Sequence, residues 1–219
     1  MLAFDHVLIA VADLGATAGR LYTDHGLTSV AGGRHTGLGT ENRIVPLGPD
    51  YVELIAVMRD GDPARSALSR WVHALSRGGD RLAALCLRTD ELDGWAAALG
   101  SAPVAMSRTN EDGSTLSWRL VGLREMLESP PQPMFIEWDA APEIHPGRAR
   151  TRHRTRPRGI GWVELSGRVE DMRGLLGSHG LDIRFVDGEP GISAVGISVD
   201  GGEAVLRRQP VTGVGWRSE

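Results

Sequence analysis

The chain has 219 residues, of which 41% are hydrophobic and 24% are charged, so it can bury the core of one or two domains. Its formal net charge of -4 and its pI near 6.0 exclude a global attraction to nucleic acid or to an acidic membrane. All 24 basic residues are arginine, which excludes a Schiff-base lysine and a P-loop lysine. The single cysteine, Cys86, excludes an internal disulfide framework and a multi-cysteine zinc site.

The chain contains no apolar run of about 18 residues, so the sequence predicts no membrane span. Its first residues carry no basic region and enter a strand pattern at once, so we expect no signal peptide. A reducing, cytoplasmic location is the expectation that follows from these features.

Residues 1–60 predict a module with the order β-α-β-β-β. Asp13 is a suitable N-cap for the helix, and Gly26 is suited to its C-terminal stop. A glycine-rich segment joins the second strand to the third. The predicted strands cover residues 4–11, 29–33, 42–47 and 51–57.

The same order returns in residues 80–140, after a linking helix predicted in residues 61–79. We expect a capped helix from Asp90 to Leu99, and the sequence Asn110-Glu-Asp-Gly113 is a strong turn signal between two strands. The predicted strands cover residues 81–88, 104–108, 116–121 and 134–138.

The rest of the chain predicts an arginine-rich linker in residues 141–158, a third, partial β-α-β-β-like unit in residues 159–209 and a tail in residues 210–219. Alternating arginines in the linker favour a solvated, extended segment over a contact with a phosphate backbone, and no nucleic-acid motif accompanies them. The predicted fold class is therefore α+β, with paired β-α-β-β-β modules in a curled mixed sheet or open barrel and a shorter third unit.

Two strands each carry an acidic residue within an apolar run: Glu53 in the first module and Glu137 in the second. A carboxylate there is costly to bury unless another group pairs with it or coordinates it. Aligning the last strands of the two modules places Glu53 on Glu137, which predicts that both point into one cavity. A salt bridge to one of the many arginines is the alternative for each glutamate.

Several segments together resemble the glyoxalase-like domain family of the vicinal oxygen chelate superfamily. They are residues 4–14, which include His6, residues 32–42, which are rich in glycine, and residues 51–55, which include Glu53. The later residues 135–139, followed by His145-Pro146, fit the same family. The resemblance covers roughly residues 3–146.

This resemblance implies an open barrel with a divalent metal inside it, held by the first and fourth strands of each module. Carried over by position, it implies that His6, Glu53 and Glu137 are metal ligands, whereas Ala84 stands at the fourth position and cannot bind metal. One imidazole with two carboxylates suits Mn, Fe, Co, Ni or Mg, and Zn stays possible. The metal would stabilise an enolate or similar oxyanion of the substrate.

Four further residues are candidates for the site. His35 and Asn42 flank the glycine-rich segment, which is either a mobile hairpin or the rim of the cavity. His35 and His145 are the candidate acid–base groups, since imidazole titrates near neutrality. His35, Asn42 and Trp138 are the candidate substrate contacts.

The sequence thus predicts a metal-dependent small-molecule enzyme of the isomerase or lyase type. A non-catalytic protein that binds a small molecule or an antibiotic is the alternative, because the fourth ligand is missing. An Fe(II) dioxygenase is a third hypothesis, which requires His35 or His145 to complete a two-histidine, one-carboxylate face. The expected partner is a small molecule, with no nucleic acid and no membrane, and the chain is expected to be a monomer or a homodimer.

Overall fold

The computed structural model describes residues 1–109, 115–167, 169–176 and 179–208 and shows an α+β fold with two sheets. The first module matches its predicted order. Its elements are β1 (Leu2–Ala10), α1 (Leu14–His25), β2 (Val30–His35), β3 (Thr40–Pro46) and β4 (Tyr51–Val57), and the linking helix α2 (Ala67–Ser76) follows. Helix α1 begins as predicted, because Asp13 accepts hydrogen bonds from the N–H groups of Gly15 and Ala16.

The second module repeats the order and adds one helix. Its elements are β5 (Arg81–Thr89), α3 (Leu92–Leu99), β6 (Val104–Thr109), β7 (Thr115–Val121), α4 (Leu123–Glu128) and β8 (Met134–Asp139). Helix α3 starts after the predicted Asp90, and its N-terminal flanking residue Glu91 makes no side-chain cap. Helix α4 was not predicted, and the turn predicted at Asn110-Glu-Asp-Gly113 lies outside the described residues.

The two modules share an eight-stranded sheet with the order β2-β3-β4-β1-β5-β8-β7-β6. In each module the first strand runs parallel to the last, and β1 pairs with β5 in the antiparallel direction at the centre. The predicted pair of β-α-β-β-β modules in a curled sheet is therefore confirmed.

The third unit contains β9 (Pro157–Ser166), α5 (Val169–Leu176), β10 (Ile183–Val186), β11 (Gly191–Val199) and β12 (Gly202–Arg207). Its four strands have the order β10-β9-β11-β12, so its first strand lies between two others instead of beside the last. The unit is thus a separate sheet with a strand order different from that of the modules.

The second sheet covers one face of the first. Val7 and Ile9 of β1 belong to a core cluster that also contains Val163 and Val195 of the second sheet. Leu8, which lies between Val7 and Ile9, faces the opposite side, as strand alternation requires. One face of the large sheet therefore forms the core, and the other is left to form a site.

The arginine-rich linker lies against the first module. His153 accepts the Thr28 N–H through Nδ1 at 3.0 Å, and its Nε2 lies 2.8 Å from the Pro46 carbonyl oxygen. The linker arginines are exposed to solvent (Arg148, Arg150, Arg152, Arg154, Arg156 and Arg158). None of the helices in the described part of the chain is long and apolar enough to cross a membrane.

Asp50 fastens the second sheet to the first at the start of β4. Its side chain is buried, and both carboxylate oxygens lie 3.0 Å from the backbone N–H of Ile160 in β9. Gly159 leaves room for this contact, because a Cβ at that position would lie 2.9 Å from Oδ2 of Asp50. Burial raises the pKa of Asp50 to about 7; the nearby Asp5 adds to this effect, and the Ile160 N–H and Arg88 oppose it.

This raised pKa predicts a pH-dependent stability that Asp50→Asn should remove. Between about pH 4 and pH 7 the folded protein holds a proton on Asp50 that the unfolded chain releases, so this group stabilises the fold most at low pH. We expect its contribution to the free energy of unfolding to fall by about 2–4 kcal/mol across that interval. Urea unfolding at a series of pH values measures it.

The matched control is Asp187→Asn, a substitution at an exposed position between β10 and β11. It should keep the wild-type pH profile, whereas Asp50→Asn should flatten it. Identical profiles for Asp50→Asn and the wild type would show that the pKa of Asp50 is not raised in the folded protein.

Candidate functional site: a cavity around His6 and Glu53

The uncovered face of the eight-stranded sheet lines a cavity of about 990 Å³. Strands of both modules contribute to its wall, so the cavity exists only when the two modules pair. Much of the wall is apolar, through side chains that include Leu8, Ile55, Met106, Trp118 and Ile136. A small number of polar groups in such a wall is typical of a small-molecule site.

A bulge in β1 turns His6 toward the cavity and encloses Asp5 beside it. Phe4 pairs with Leu87 and His6 pairs with Cys86, so Asp5 is an extra residue without a partner in the ladder. The bulge shifts the alternation of side chains, with the result that Phe4 joins the core while His6 lines the cavity. Asp5 is then enclosed between the strands.

Asp5 is fully buried and is held by three nitrogen donors. Its Oδ1 lies 2.7 Å from His6 Nδ1, and its Oδ2 lies 2.8 Å from Trp138 Nε1 and 3.1 Å from His145 Nε2. Arg88 adds a positive charge 3.6 Å from Oδ2. Burial alone would raise the pKa of Asp5, but the hydrogen bonds and charges of His145 and His6 outweigh it and hold the pKa well below its usual range.

These contacts determine which nitrogens carry hydrogen. His145 Nδ1 accepts the Gly147 N–H at 3.1 Å, so its Nε2 carries the hydrogen that it donates to Asp5. A carboxylate only accepts, so His6 donates through Nδ1 to Asp5. His6 stacks on Tyr51 with ring centroids 4.6 Å apart, and its Nε2 points toward Glu53 Oε2 at 3.7 Å.

Glu53 lies opposite Leu8 in the ladder between β4 and β1. Asn42 Nδ2 donates to its Oε1 at 2.7 Å, and Asn42 Oδ1 accepts the N–H of Gly33. A Cβ at Gly32 would collide with the Asn42 side chain, so glycine is required beside this amide. One glutamate oxygen is thereby held by Asn42, and Oε2 is left facing His6.

Six of the residues predicted for the site line this cavity: His6, His35, Asn42, Glu53, Trp138 and His145. His35 lies at the end of β2, where its Nδ1 is 3.0 Å from the Thr40 hydroxyl. His145 uses both ring nitrogens inside the protein, so it supports Asp5, which differs from the predicted role in acid–base catalysis. Trp138 likewise directs its indole N–H to Asp5.

Glu137 is the predicted ligand that the structure does not bring to the cavity. It accepts a hydrogen bond from Arg119 Nε at 2.9 Å and lies in a second cavity of about 820 Å³, beyond Trp138 and His145. The structure therefore shows the alternative stated for Glu137, a salt bridge to an arginine.

The strand register explains the position of Glu137. Aligning the first residues of α1 and α3, Leu14 and Leu92, makes Leu8 of the first module equivalent to Cys86 of the second. Glu53 pairs with Leu8 across β1 and β4. Met134 pairs with Cys86 across β5 and β8, so Met134 is the counterpart of Glu53. Glu137 lies an odd number of residues further along the strand, which turns its side chain to the other face.

The donor atoms that face the cavity do not fit the metal centre implied by the family resemblance. His6 Nε2 and Glu53 Oε2 are two possible ligand atoms, whereas catalytic metal centres commonly have three. His35 also lines the cavity, but in the described part of the chain it does not form a group with His6 and Glu53 whose ligand atoms all lie within 4.8 Å of one another. The second module places Ala84 and Met134 at its corresponding positions, and neither suits a hard divalent ion. The Asn42 oxygen is already bonded to a backbone N–H.

A second group of possible ligand atoms lies behind the cavity wall. Asp5, His6 and Cys86 place such atoms within 4.8 Å of one another. Asp5 and His6 already bind each other there. Burial, with the charges of Asp5 and Glu53, raises the pKa of the Cys86 thiol well above its ordinary value, so the thiol is protonated. We therefore derive no chemical step through a metal.

Asp5, which holds His6, and Arg108, which lines the cavity, were not predicted as site residues from the sequence. The signal for Asp5 is that it precedes His6 in an apolar strand, where neighbouring side chains normally point to opposite faces. Burial of both requires a bulge, which the sequence pattern alone does not reveal. Arg108 gave no signal among 24 basic residues.

Elemental analysis tests the ligand count. We expect protein purified without chelator and then dialysed to retain clearly less than stoichiometric Mn, Fe, Co, Ni or Zn, because two ligands hold an ion weakly. Inductively coupled plasma mass spectrometry measures the content. Stoichiometric metal that disappears in His6→Ala but persists in Glu137→Gln would contradict the expectation.

Asp5→Asn tests the support of His6. The amide cannot satisfy three donors as the carboxylate does, so we expect a loss of about 1–3 kcal/mol in the free energy of unfolding. We also expect His6 to lose its fixed Nδ1–H tautomer, which ¹⁵N chemical shifts of the imidazole report. An unchanged tautomer in this variant would show that Asp5 does not orient His6.

The chain is similar to a known protein family and to several solved structures. The family model described as a glyoxalase-like domain matches residues 4–176. No curated protein gives a significant match. A hypothetical protein from Staphylococcus aureus has a similar structure, with a TM-score of 0.64, 15% identity and coverage of 94% of this chain and 98% of that chain.

Methylmalonyl-CoA epimerases also give structural matches, with lower TM-scores. The Streptomyces coelicolor enzyme in complex with 2-nitronate-propionyl-CoA has a TM-score of 0.45, 17% identity and coverage of 64% of this chain and 96% of that chain. The Mycobacterium tuberculosis enzyme has a TM-score of 0.42, 19% identity and coverage of 64% and 89%. Since the family model spans most of the sequence, this chain belongs to the glyoxalase-like domain family, as its motifs predict.

Proposed function

We propose that the protein is a small-molecule enzyme of the isomerase or lyase type in which Glu53 and His6 move a proton on the substrate. The observation that carries the proposal is the pair of atoms His6 Nε2 and Glu53 Oε2, which lie 3.7 Å apart and face a large cavity. Each is the remaining free end of a side chain whose other polar atom is held by the protein. Such a pair is typical of general acid–base catalysis.

Glu53 is the proposed base. Asn42 fixes its Oε1, so Oε2 takes the proton from a carbon next to a carbonyl group of the substrate. The glutamate is buried, and little water competes for its free oxygen.

His6 is the proposed acid. With a proton on Nε2, it donates to the carbonyl oxygen as negative charge develops there, while Asp5 balances the positive charge of the ring through Nδ1–H. The Tyr51 ring, stacked on His6, keeps the imidazole parallel to itself and so limits rotation of the histidine ring. Return of the proton from Glu53 to a carbon completes an isomerisation, and departure of a group from the neighbouring carbon completes an elimination.

Deuterium exchange tests this function. Mass spectrometry of small 2-oxo acids, 2-hydroxy acids and thioesters incubated with the protein in D₂O detects exchange of the hydrogen next to the carbonyl. We expect exchange with the wild type and a loss of about 10²- to 10⁴-fold in Glu53→Gln, which cannot accept the proton.

The matched control is Glu137→Gln, the same substitution on a side chain outside the cavity. It should exchange at the wild-type rate. Equal rates for Glu53→Gln and the wild type would refute the role of Glu53, and a loss confined to Glu137→Gln would return that residue to the site.

A non-catalytic binding protein is the second candidate function. It is favoured by the second module, which places the apolar side chains of Met106, Met134 and Ile136 in the cavity wall, so the wall there is suited to holding an apolar group. This hypothesis expects a bound ligand that is recovered unchanged and undeuterated, with equal affinity for the wild type and Glu53→Gln.

A further inference from the structure

Arg108 crosses the seam of the curled sheet. It belongs to β6 and lines the cavity, and β6 and β2 are the two edge strands of the eight-stranded sheet. A Cβ at Gly33 of β2 would lie 3.9 Å from both Cδ and Nη1 of Arg108. The guanidinium therefore reaches from one module to the backbone of the other, over the opening between the two edges.

Arg108 shares the cavity with the reactive groups, because it lines the same wall as His6 and Glu53. Its charge is close enough to oppose the rise in the pKa of Tyr51, which burial, Asp5 and Glu53 cause. Tyr51 is the ring on which His6 stacks. Arg108 thus acts on the same space as His6 and Glu53, although it comes from the other module.

The hydrogen bonding of Arg108 is incomplete within the described residues. Its Nε atom is buried and has no hydrogen-bond partner there. A buried N–H of a guanidinium without an acceptor is costly, so an acceptor supplied by a ligand would stabilise it. The planar fork of a guanidinium matches the two oxygens of a carboxylate.

The other charged side chains at the mouth of the cavity are exposed, so they are less suited than Arg108 to bind an enclosed anion. Arg34, at the rim, donates to Asp60 at 2.7 Å and is exposed. Arg148 and Glu143 are exposed on the short turns after β8. Among these groups Arg108 is the half-buried one, so it is the cation that an enclosed anion would meet.

We propose that Arg108 binds the carboxylate of a small organic acid, so that the molecule held in this cavity is an anion with its reacting carbon over Glu53 and His6. The part that concerns the reacting carbon rests on the proposed function, and the binding of the anion does not. With its carboxylate on Arg108, a small acid would extend the rest of the molecule toward the proton-transfer pair. The hydrogen to be removed is on C3 of a 2-oxo acid and on C2 of a 2-hydroxy acid, one or two bonds from the carboxylate carbon, which points to these acids as the substrate class.

Binding measurements with a charged and a neutral probe test this inference. Pyruvate and its neutral amide, pyruvamide, differ in the group that Arg108 would recognise. Titration calorimetry or ligand-observed NMR at millimolar concentration should show that the wild type binds pyruvate at least about tenfold more tightly than pyruvamide. Inorganic phosphate should compete with pyruvate, since it is also an oxyanion.

Arg108→Gln should weaken pyruvate binding about 10- to 100-fold and leave pyruvamide binding unchanged. Arg108→Lys should recover part of the lost affinity, because it keeps the charge and loses the fork. The charge-matched control is Arg184→Gln, whose side chain stacks on Trp162 in the second sheet and should bind both probes as the wild type does.

Two results would overturn the inference: no preference of the wild type for pyruvate over pyruvamide, or equal loss of both probes in Arg108→Gln. A purely structural role at the seam would give the second result together with a lower unfolding temperature. A failure of the proposed function can be distinguished from a failure of the anion site. Arg108-dependent binding of pyruvate without deuterium exchange would refute proton transfer and support the anion site. Deuterium exchange on neutral compounds alone would support proton transfer and refute the anion site.

Discussion

The site depends on the burial of one carboxylate, Asp5. Removing a charged carboxylate from water is costly, and here three nitrogen donors and a nearby guanidinium compensate for it. Those donors come from β1, from β8 and from the turn after β8, so the carboxylate joins the two modules. The same bonds direct His6 into the cavity and fix its Nδ1–H, and Glu53 then has a defined partner across the cavity.

The duplicated sheet carries an asymmetric site. The first module supplies the imidazole, the free carboxylate and the amide that holds it, whereas the second supplies an apolar wall and the guanidinium of Arg108. Asp5 and Glu53 already place two negative charges around His6. A third carboxylate in the same cavity would add repulsion in a medium of low polarity. Glu137 instead pairs with Arg119 on the other face of β8, which avoids that cost.

Much of the fold follows from local patterns. Helix α1 begins after Asp13 and ends before Gly26, as predicted, because capping depends on contacts within a few residues. The strands of the two modules and the linking helix also follow from their apolar periodicity. The start of α3, the additional helix α4 and the strand order of the third unit differ, since they depend on contacts between distant segments.

The sequence by itself determined the duplicated modules, the family and six of the residues that line the cavity. These depend on residue type and on alternation along a single strand, which the chain carries locally. Only the tertiary structure decided the role of Asp5, the place of Glu137 and the reach of Arg108. A bulge in β1, the register of β8 against β5 and the approach of β6 to β2 arise from pairing between strands, and one residue of register turns a side chain from one face to the other.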